Sequence, residues 1–328
     1  MKEGAERETP LVSAVIVTHN RRNLLKAAVE SALAQTWPAM ELLVVDDGSA
    51  DGTEQDMTAL EKAQRLRYLR LPQPRGGNAA RSLGIREARG AYVALLDDDD
   101  AWLPQKTALQ AACLRDHPEV GVVSCGKISV YNFDRQEAED PFLLPEGDLS
   151  RTIFTDLHFT TSRLMFRREL LLQAGLFDEE LRAWQDYELM LRLCQLTRVG
   201  VVRQNLLLYN IVPGDPQRVT NRLKDWEDAV ARIHAKHSAL LAALPADVRQ
   251  AHLLMVYREG ARRAGRSGDT RSKRKYLGRI FREAPSGANL QKLVHNDPDY
   301  AAAPLALRLR AKAGRAARKL GLLKAPRS

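Results

Sequence analysis

Short apolar runs closed by polar residues recur along the first hundred positions. Leu11 to Thr18, LVSAVIVT, is a β-branched run with almost no polar interruption, the pattern of a strand buried on both faces. Leu25, Val29, Ala32 and Leu33 then fall near helical spacing in NRRNLLKAAVESALAQ, which predicts a helix with Asn20 as its cap. A second run, Glu41 to Val45, ends in the polar turn Asp46-Asp47-Gly48-Ser49. A third, Arg67 to Leu71, ends in Pro72 and a flexible PRGG. Asn78 to Ala88 has helical spacing at Ala79, Leu83 and Ala88; Gly90 breaks it, and Tyr92 to Leu96 reads as a fourth buried strand. Strands alternating with helices at such short intervals predict an α/β fold with a doubly wound, mostly parallel sheet.

Further along, Pro104 to Arg115 reads as helix, Val120 to Ser124 as strand, and Val130 to Arg151 as an irregular, Pro-containing connection. Helical patterning returns over Arg168 to Ala174 and Asp186 to Leu196. From about Asn221 onward it dominates, interrupted at Pro245, Pro285, Pro298 and Pro304. A boundary near residue 215 therefore divides the expected organisation into a tail at 1–10, an α/β domain at 11–215 and a helical extension at 216–328.

Charge sharpens that division. The whole chain of 328 residues carries +9, yet from Arg258 to the end 19 Lys and Arg face 5 Asp and Glu, a net of +14 that leaves about −5 for the rest. The basicity belongs to the extension and suggests an anionic partner for it. Read as a helix, Leu305 to Leu323 puts Leu305, Leu309, Ala313, Ala316, Leu320 and Leu323 on one stripe, with Arg308, Arg310, Arg315, Arg318 and Lys319 away from its centre. That is the pattern of a helix lying on an anionic membrane, and equally of one docked with a solvated charged face. Nucleic acid is the less expected partner, because Tyr276, Phe281 and Tyr300 are the only aromatics after Tyr257. No stretch approaches the roughly 18 uncharged apolar residues of a membrane span, and MKEGAERETP lacks the apolar segment of a secretory signal. The expected location is the cytoplasm, with peripheral contact at the inner membrane face. Cys113, Cys125 and Cys194 have no CxxC spacing and read as buried thiols.

Three of the predicted strands end in polar residues on their carboxyl side: Thr18-His19-Asn20, Asp46-Asp47 and Asp97 to Asp100. In open parallel sheets the ligand crevice lies at those ends. Four adjacent carboxylates repel one another and raise one another's pKa unless a cation offsets them. Mg²⁺ or Mn²⁺ does so, preferring few protein carboxylates with water and phosphate oxygens filling the remaining positions. A diphosphate substrate is implied. A solvated acidic loop with Asp100 as a helix cap, and an ordinary turn at Asp46-Asp47, remain open at this level. The Gly-rich, basic Arg75 to Gly84 fits neither GxGxxG nor a phosphate-loop pattern.

Three stretches, VSAVIVTHNRRNLLKAAVESALAQTWPAMELLVVDDGSADGT, GGNAARSLGIREARGAYVALLDDDDAWLPQK and GLFDEELRAWQDYELMLRL, resemble in that order the family 2 glycosyltransferases of the GT-A fold, over about residues 10 to 200. The resemblance implies a metal-dependent, inverting transfer of a sugar from a nucleotide-diphosphate donor, UDP-sugars favoured. The implied acceptor is a glycan or lipid-linked acceptor of cell-surface polysaccharide synthesis. Thr18 matches the hydroxyl residue near the base, with Asn20 beside it. Asp47, with Asp46 as neighbour, matches the carboxylate that accepts from base or ribose, and Arg81 the arginine near the diphosphate. Asp97 to Asp99 stand at the DxD position: Asp99 as direct metal ligand, Asp97 and Asp98 on the ribose or metal-bound water, and Asp97 as the second metal contact. Asp98 adds a charge where the common form has Ser or Ala. Asp186 matches the catalytic base, preceded by Gln185 where the family usually has Glu. His158, Trp184 and Gln185 are expected at the acceptor pocket. The readings that compete are a catalytically silent nucleotide-sugar-binding module and a membrane-associated adaptor.

Overall fold

The computed structural model describes residues 9–131, 135–155, 159–211 and 222–295. Contacts divide the chain into two units, residues 1–218 and 219–328. The first unit runs β1 (Val12–Thr18), α1 (Arg22–Leu33), β2 (Met40–Asp46), α2 (Thr53–Lys62), β3 (Arg67–Arg70), α3 (Gly77–Glu87), β4 (Tyr92–Asp97), β5 (Ala101–Trp102) and α4 (Lys106–Asp116). It continues with β6 (Val120–Tyr131), β7 (Arg135–Ala138), β8 (Met165–Arg167), α5 (Arg168–Gln173), α6 (Gln185–Leu193) and β9 (Arg198–Ile211).

Among the described residues these strands form a nine-stranded sheet in the order β3-β2-β1-β4-β8-β6-β9-β5, with β7 paired to β6. The first four are parallel, and their register brings the polar ends level: Thr18 lies opposite Asp46, and Val17 opposite Asp97. Beyond β4 the pairing changes. β8 runs antiparallel to both β4 and β6, β9 parallel to β6, and β5 antiparallel to β9. Helices cover both faces. Val12, Ala14 and Ile16 of β1 pack with Leu25, Ala28 and Val29 of α1, Met57 of α2 and Leu114 of α4, in one cluster. Val15 and Val45 point the other way, toward Gly84 of α3.

Several elements have little signature in the sequence. α2 buries only Thr53 and Met57, too little for an apolar stripe. β6 extends to Tyr131 and forms a hairpin with β7, so the connection predicted from Val130 begins later than expected. β9 is long, but Arg203-Gln204-Asn205 interrupts its apolar pattern where its register with β6 shifts on either side of Gly126. Two expected caps are corrected. Asn20 does not cap α1, whose cap position is Arg21; Asn20 itself is left-handed at φ 53°, and its Oδ1 accepts from the Ala50 N–H at 2.7 Å. Asp100 caps no helix, because α4 starts after Gln105 and Asp100 instead accepts from the Asn210 N–H of β9.

The close approach of α3 to the sheet depends on Gly84. A Cβ there would stand 2.4 Å from Val15 Cγ1 and 3.1 Å from Val45 Cγ2, both held inside the core. Gly84→Ala is therefore expected to destabilise the first unit by about 1–3 kcal/mol, despite the better helix propensity of alanine. A lowered thermal midpoint is the readout, and a midpoint at or above that of the parent would show that α3 has room to shift.

The second unit is helical: α7 (Leu223–Lys236), α8 (Ser238–Ala242), α9 (Ala246–Arg266), α10 (Thr270–Glu283) and α11 (Gly287–His295). Trp226 is fully buried, edge-on to Tyr276 at 5.9 Å, and Gly260 lets α9 approach both rings. The Tyr276 hydroxyl donates to Glu227 at 2.6 Å. The stripe expected at 305–323 and His158 lie outside the described residues. Among those described, no helix is long and apolar enough to cross a membrane.

Candidate functional site

β1 and β4 are neighbours at the point where the strand order reverses, which in doubly wound sheets is where a crevice opens at the carboxyl ends. The two strand ends are tied there by a direct bond: Thr18 Oγ1 donates to Asp98 Oδ2 at 2.8 Å. Arg21, just before α1, places one guanidinium nitrogen between two carboxylates, 3.1 Å from Asp98 Oδ1 and 3.0 Å from Asp99 Oδ2. Asp97 faces α3, where Arg81 Nη2 donates to its Oδ1 at 2.5 Å. The Asp97 N–H donates to Ser162 Oγ at 3.1 Å. Asp100 turns inward, accepting from the Asn210 N–H at 3.1 Å. Four consecutive aspartates thus have four different surroundings, and only Asp97 and Asp99 are substantially open to solvent.

The second acidic turn is braced from within. Asp46, fully buried, accepts from the Ser49 N–H at 2.8 Å through Oδ1 and from the Tyr68 hydroxyl at 2.6 Å through Oδ2. Asp47 accepts from the N–H groups of Arg75 and Gly76, at 2.6 and 2.8 Å. It thereby pins the Gly-rich segment ahead of α3 over the strand ends. Asn20 joins the two loops, since its N–H donates to Ser49 Oγ while its side chain takes Ala50. Asp46, Asp47 and Asn20 thus brace the loops at the carboxyl ends of β1 and β2.

α3 connects the acidic run to the start of α6. Asn78 Nδ2 donates to the carbonyls of Asp178 and Leu181, drawing the segment before α6 against α3. Trp184, buried and at φ 57° in the left-handed region, makes the turn into α6, and its ring packs at 5.0 Å on Tyr187. A bulky residue in that region is a backbone outlier held by its surroundings. The turn sets Asp186 in the first turn of α6, where its Oδ1 accepts from the Tyr187 N–H at 2.8 Å, with Gln185 half-buried beside it. Glu188 and Arg192 lock the helix from behind, since Arg192 donates to Glu188 and to the carbonyls of Ala174 and Leu176.

Burial raises the pKa of Asp186, and the negative charge of Asp97 adds to it, while the Tyr187 N–H and Arg81 oppose. Arg81 is buried, which works against its charge, yet Asp97 beside it, with Asp186 and Asp98 farther off, holds its proton more firmly than usual. Arg81 is therefore a fixed cation between the acidic run and Asp186. Burial and the charge of Asp99 push Asp98 up to about 6, against Arg21 and Thr18. Asp99 and Asp100 are raised by burial and by their acidic neighbours, Asp100 the more strongly.

A carboxyl that titrates near 6 when folded and near 3.9 when unfolded keeps its proton longer in the folded chain. Its contribution to stability is full below about pH 4 and is lost as pH rises through about 6, about 3 kcal/mol in all. Asp98→Asn removes that dependence. In divalent-free buffer the thermal midpoint of the variant, relative to the parent, is expected to rise between pH 4 and 7. A difference that stays flat with pH would mean that Asp98 is ionised throughout.

Among the described residues no three His, Cys, Asp or Glu side chains cluster as ready-made metal ligands. The donor set present suits a different kind of site. Asp97 Oδ1 is taken by Arg81 while its Oδ2 has no hydrogen bond among the described residues, and Asp99 is more open than Asp98 or Asp100. Two carboxylates with room for water and phosphate oxygens fit Mg²⁺ or Mn²⁺, which use one or two protein carboxylates in such sites.

Arg21, Ser162, Asn78 and Tyr68 contribute to this geometry without having been singled out in the sequence. For Arg21 a signal existed, a basic pair directly behind a strand end; Ser162, 65 residues from the N–H it accepts, had none.

Residues 13–174 match the model of glycosyl transferase family 2. An uncharacterized glycosyltransferase of Rickettsia prowazekii, RP339, is 30% identical over 231 residues, covering 67% of this chain and 70% of that protein. The succinoglycan biosynthesis protein ExoO of Rhizobium meliloti is 35% identical over 200 residues, 58% of this chain and 57% of its own length. Among solved structures, residues 1–349 of S. aureus TarS in complex with UDP-GlcNAc superpose with a TM-score of 0.62 at 18% identity, covering 88% of each chain.

Proposed function

The chain belongs to glycosyl transferase family 2, and from that premise we propose that it moves a sugar from a nucleotide diphosphate, a UDP-sugar before others, to a hydroxyl of a glycan or glycolipid acceptor in the synthesis of a cell-surface polysaccharide, with inversion at the anomeric carbon. The succinoglycan assignment of ExoO supports the acceptor class, and UDP-GlcNAc on TarS supports the donor. One observation carries the reading. Arg81 is bonded to Asp97 at 2.5 Å and lies close enough to Asp186 to oppose the rise in its pKa, which supports placing the phosphate end of a donor near the half-buried Asp186.

Asp47 and Thr18 flank the nucleoside in this reading, and the loop pinned by Asp47 covers it. Asp97 and Asp99 hold the divalent ion, with Asp98 positioning them through Thr18 and Arg21. Held there, a divalent ion would supply positive charge against the leaving diphosphate. Arg81 adds a fixed positive charge on the same side, where charge develops as the bond to the sugar breaks. Asp186, raised in pKa, takes the proton of the acceptor hydroxyl. With one displacement and one base, no covalent intermediate forms. Gln185 lies at the rim where an acceptor approaches, while Trp184, being buried, serves chiefly to set the turn. The basic segment 305–323 is the proposed contact with the inner membrane surface.

The test is a screen of UDP- and GDP-sugars by calorimetry, with and without Mn²⁺, followed by transfer assays with the binders. Binding of at least one nucleotide sugar, strengthened by Mn²⁺, is expected. If none binds under either condition, the reading fails.

A further inference from the structure

Asn210 stands out among the polar groups near the acidic run. It is 6% exposed, yet neither its side-chain nitrogen nor its side-chain oxygen has a hydrogen-bond partner among the described residues. A buried amide left unpaired at both ends is costly, so a chain retains one where something else completes it. Its backbone N–H is already used, donating to Asp100 Oδ1 at 3.1 Å, which fixes β9 against the acidic run.

The register tells where the amide emerges. β5 pairs with β9 antiparallel, Ala101 opposite Leu208 and Trp102 opposite Leu207. Asn210 lies two residues beyond that ladder on β9, and its N–H bond to Asp100 keeps it beside the end of the acidic run. Leu207 and Tyr209 belong to the apolar cluster under α1 and α4, so the intervening alternation turns Asn210 to the other face. That is the face toward which Asp97 meets Arg81 of α3. The amide therefore lies on the face of the sheet that carries Asp97, next to the residue that closes the acidic run.

We propose that Asn210 is a donor-binding residue: its amide N–H donates to a diphosphate oxygen at the acidic run, and its carbonyl oxygen accepts from a water or a sugar hydroxyl of the same donor. This rests on the reading of the site as one for nucleotide sugars. An amide suits the place, because it offers a donor and an acceptor without adding a fifth charge to the acidic run.

Asn210→Leu keeps the volume and removes both polar atoms, and the probe is UDP with Mn²⁺, measured by calorimetry on the full chain. The affinity of the variant for UDP is expected to fall by about tenfold or more, as for a lost ligand hydrogen bond in a buried site, while its thermal midpoint without ligand equals or exceeds that of the parent. A merely structural role moves these readouts the opposite way, lowering the midpoint and leaving affinity intact in the folded fraction. Asn210→Gln, which keeps the amide on a longer stem, is the second variant and is expected to recover part of the binding. UDP affinity in Asn210→Leu within about twofold of the parent overturns the proposal and leaves the nucleotide-sugar reading standing. A parent that binds neither UDP nor GDP with or without Mn²⁺ overturns both.

Discussion

Replacing Asp186 with Asn is expected to lower turnover by about 10²–10⁴-fold, the range of a lost general base. UDP affinity in the presence of Mn²⁺ is expected to stay within about threefold, since an interaction made only as the acceptor loses its proton does not enter donor binding. The amide is nearly isosteric and keeps an oxygen for the Tyr187 N–H, so the first turn of α6 remains formed. What it cannot do is take a proton. The parent should also show an acid limb in its rate, with activity falling as pH drops through the ionisation of Asp186. That limb lies above the usual aspartate range because burial and Asp97 raise the group. It should vanish from the residual activity of the variant. Parental turnover in Asp186→Asn would remove this residue from the mechanism and make its place at the start of α6 a capping role alone.

The second large effect is expected at Asp99. Asp99→Asn removes one of the two carboxylates proposed to hold a divalent ion, and Mn²⁺-dependent UDP binding should weaken by on the order of 100-fold, while weak metal-free binding persists. Fold stability is expected to hold, because Asp99 is the more exposed partner of Arg21, and Arg21 retains Asp98. Asp100 lies next in sequence and behaves otherwise. Its carboxylate holds β9 through the Asn210 N–H, so its loss is read in the thermal midpoint first. An unchanged Mn²⁺ titration in Asp99→Asn would shift the metal to Asp97 and Asp98. That outcome would require Arg21 to leave the latter.

How far the site was legible follows from which contacts are local. The runs ending at Thr18, Asp46 and Asp97 are local facts of composition. Parallel pairing of β1 with β2 and β4 then makes their ends meet whatever the loops do. A polar residue before a helix is the usual cap, which is what the sequence predicts for Asn20, whereas its side chain is claimed by Ala50, 30 residues away. β9 was missed because a bulged, partly exposed strand with Arg203-Gln204-Asn205 in it shows neither clean alternation nor a continuous apolar run. Asn210 lies on that strand, so its unpaired amide was invisible for the same reason.

In ALLDDDDAW, sequence by itself determined that a buried strand ends in concentrated negative charge, and that the chain needs a cation or protons to hold it. Which carboxylate does what was settled only by tertiary structure. Successive residues leaving a strand point in different directions, so Asp97 meets Arg81, Asp98 meets Thr18 and Arg21, Asp99 shares Arg21 at the opening, and Asp100 meets the backbone of β9. Those partners come from segments between 16 and 110 residues away. Charge density is a local property of the chain, whereas the solvation and pairing that give each charge its work are properties of the packed fold.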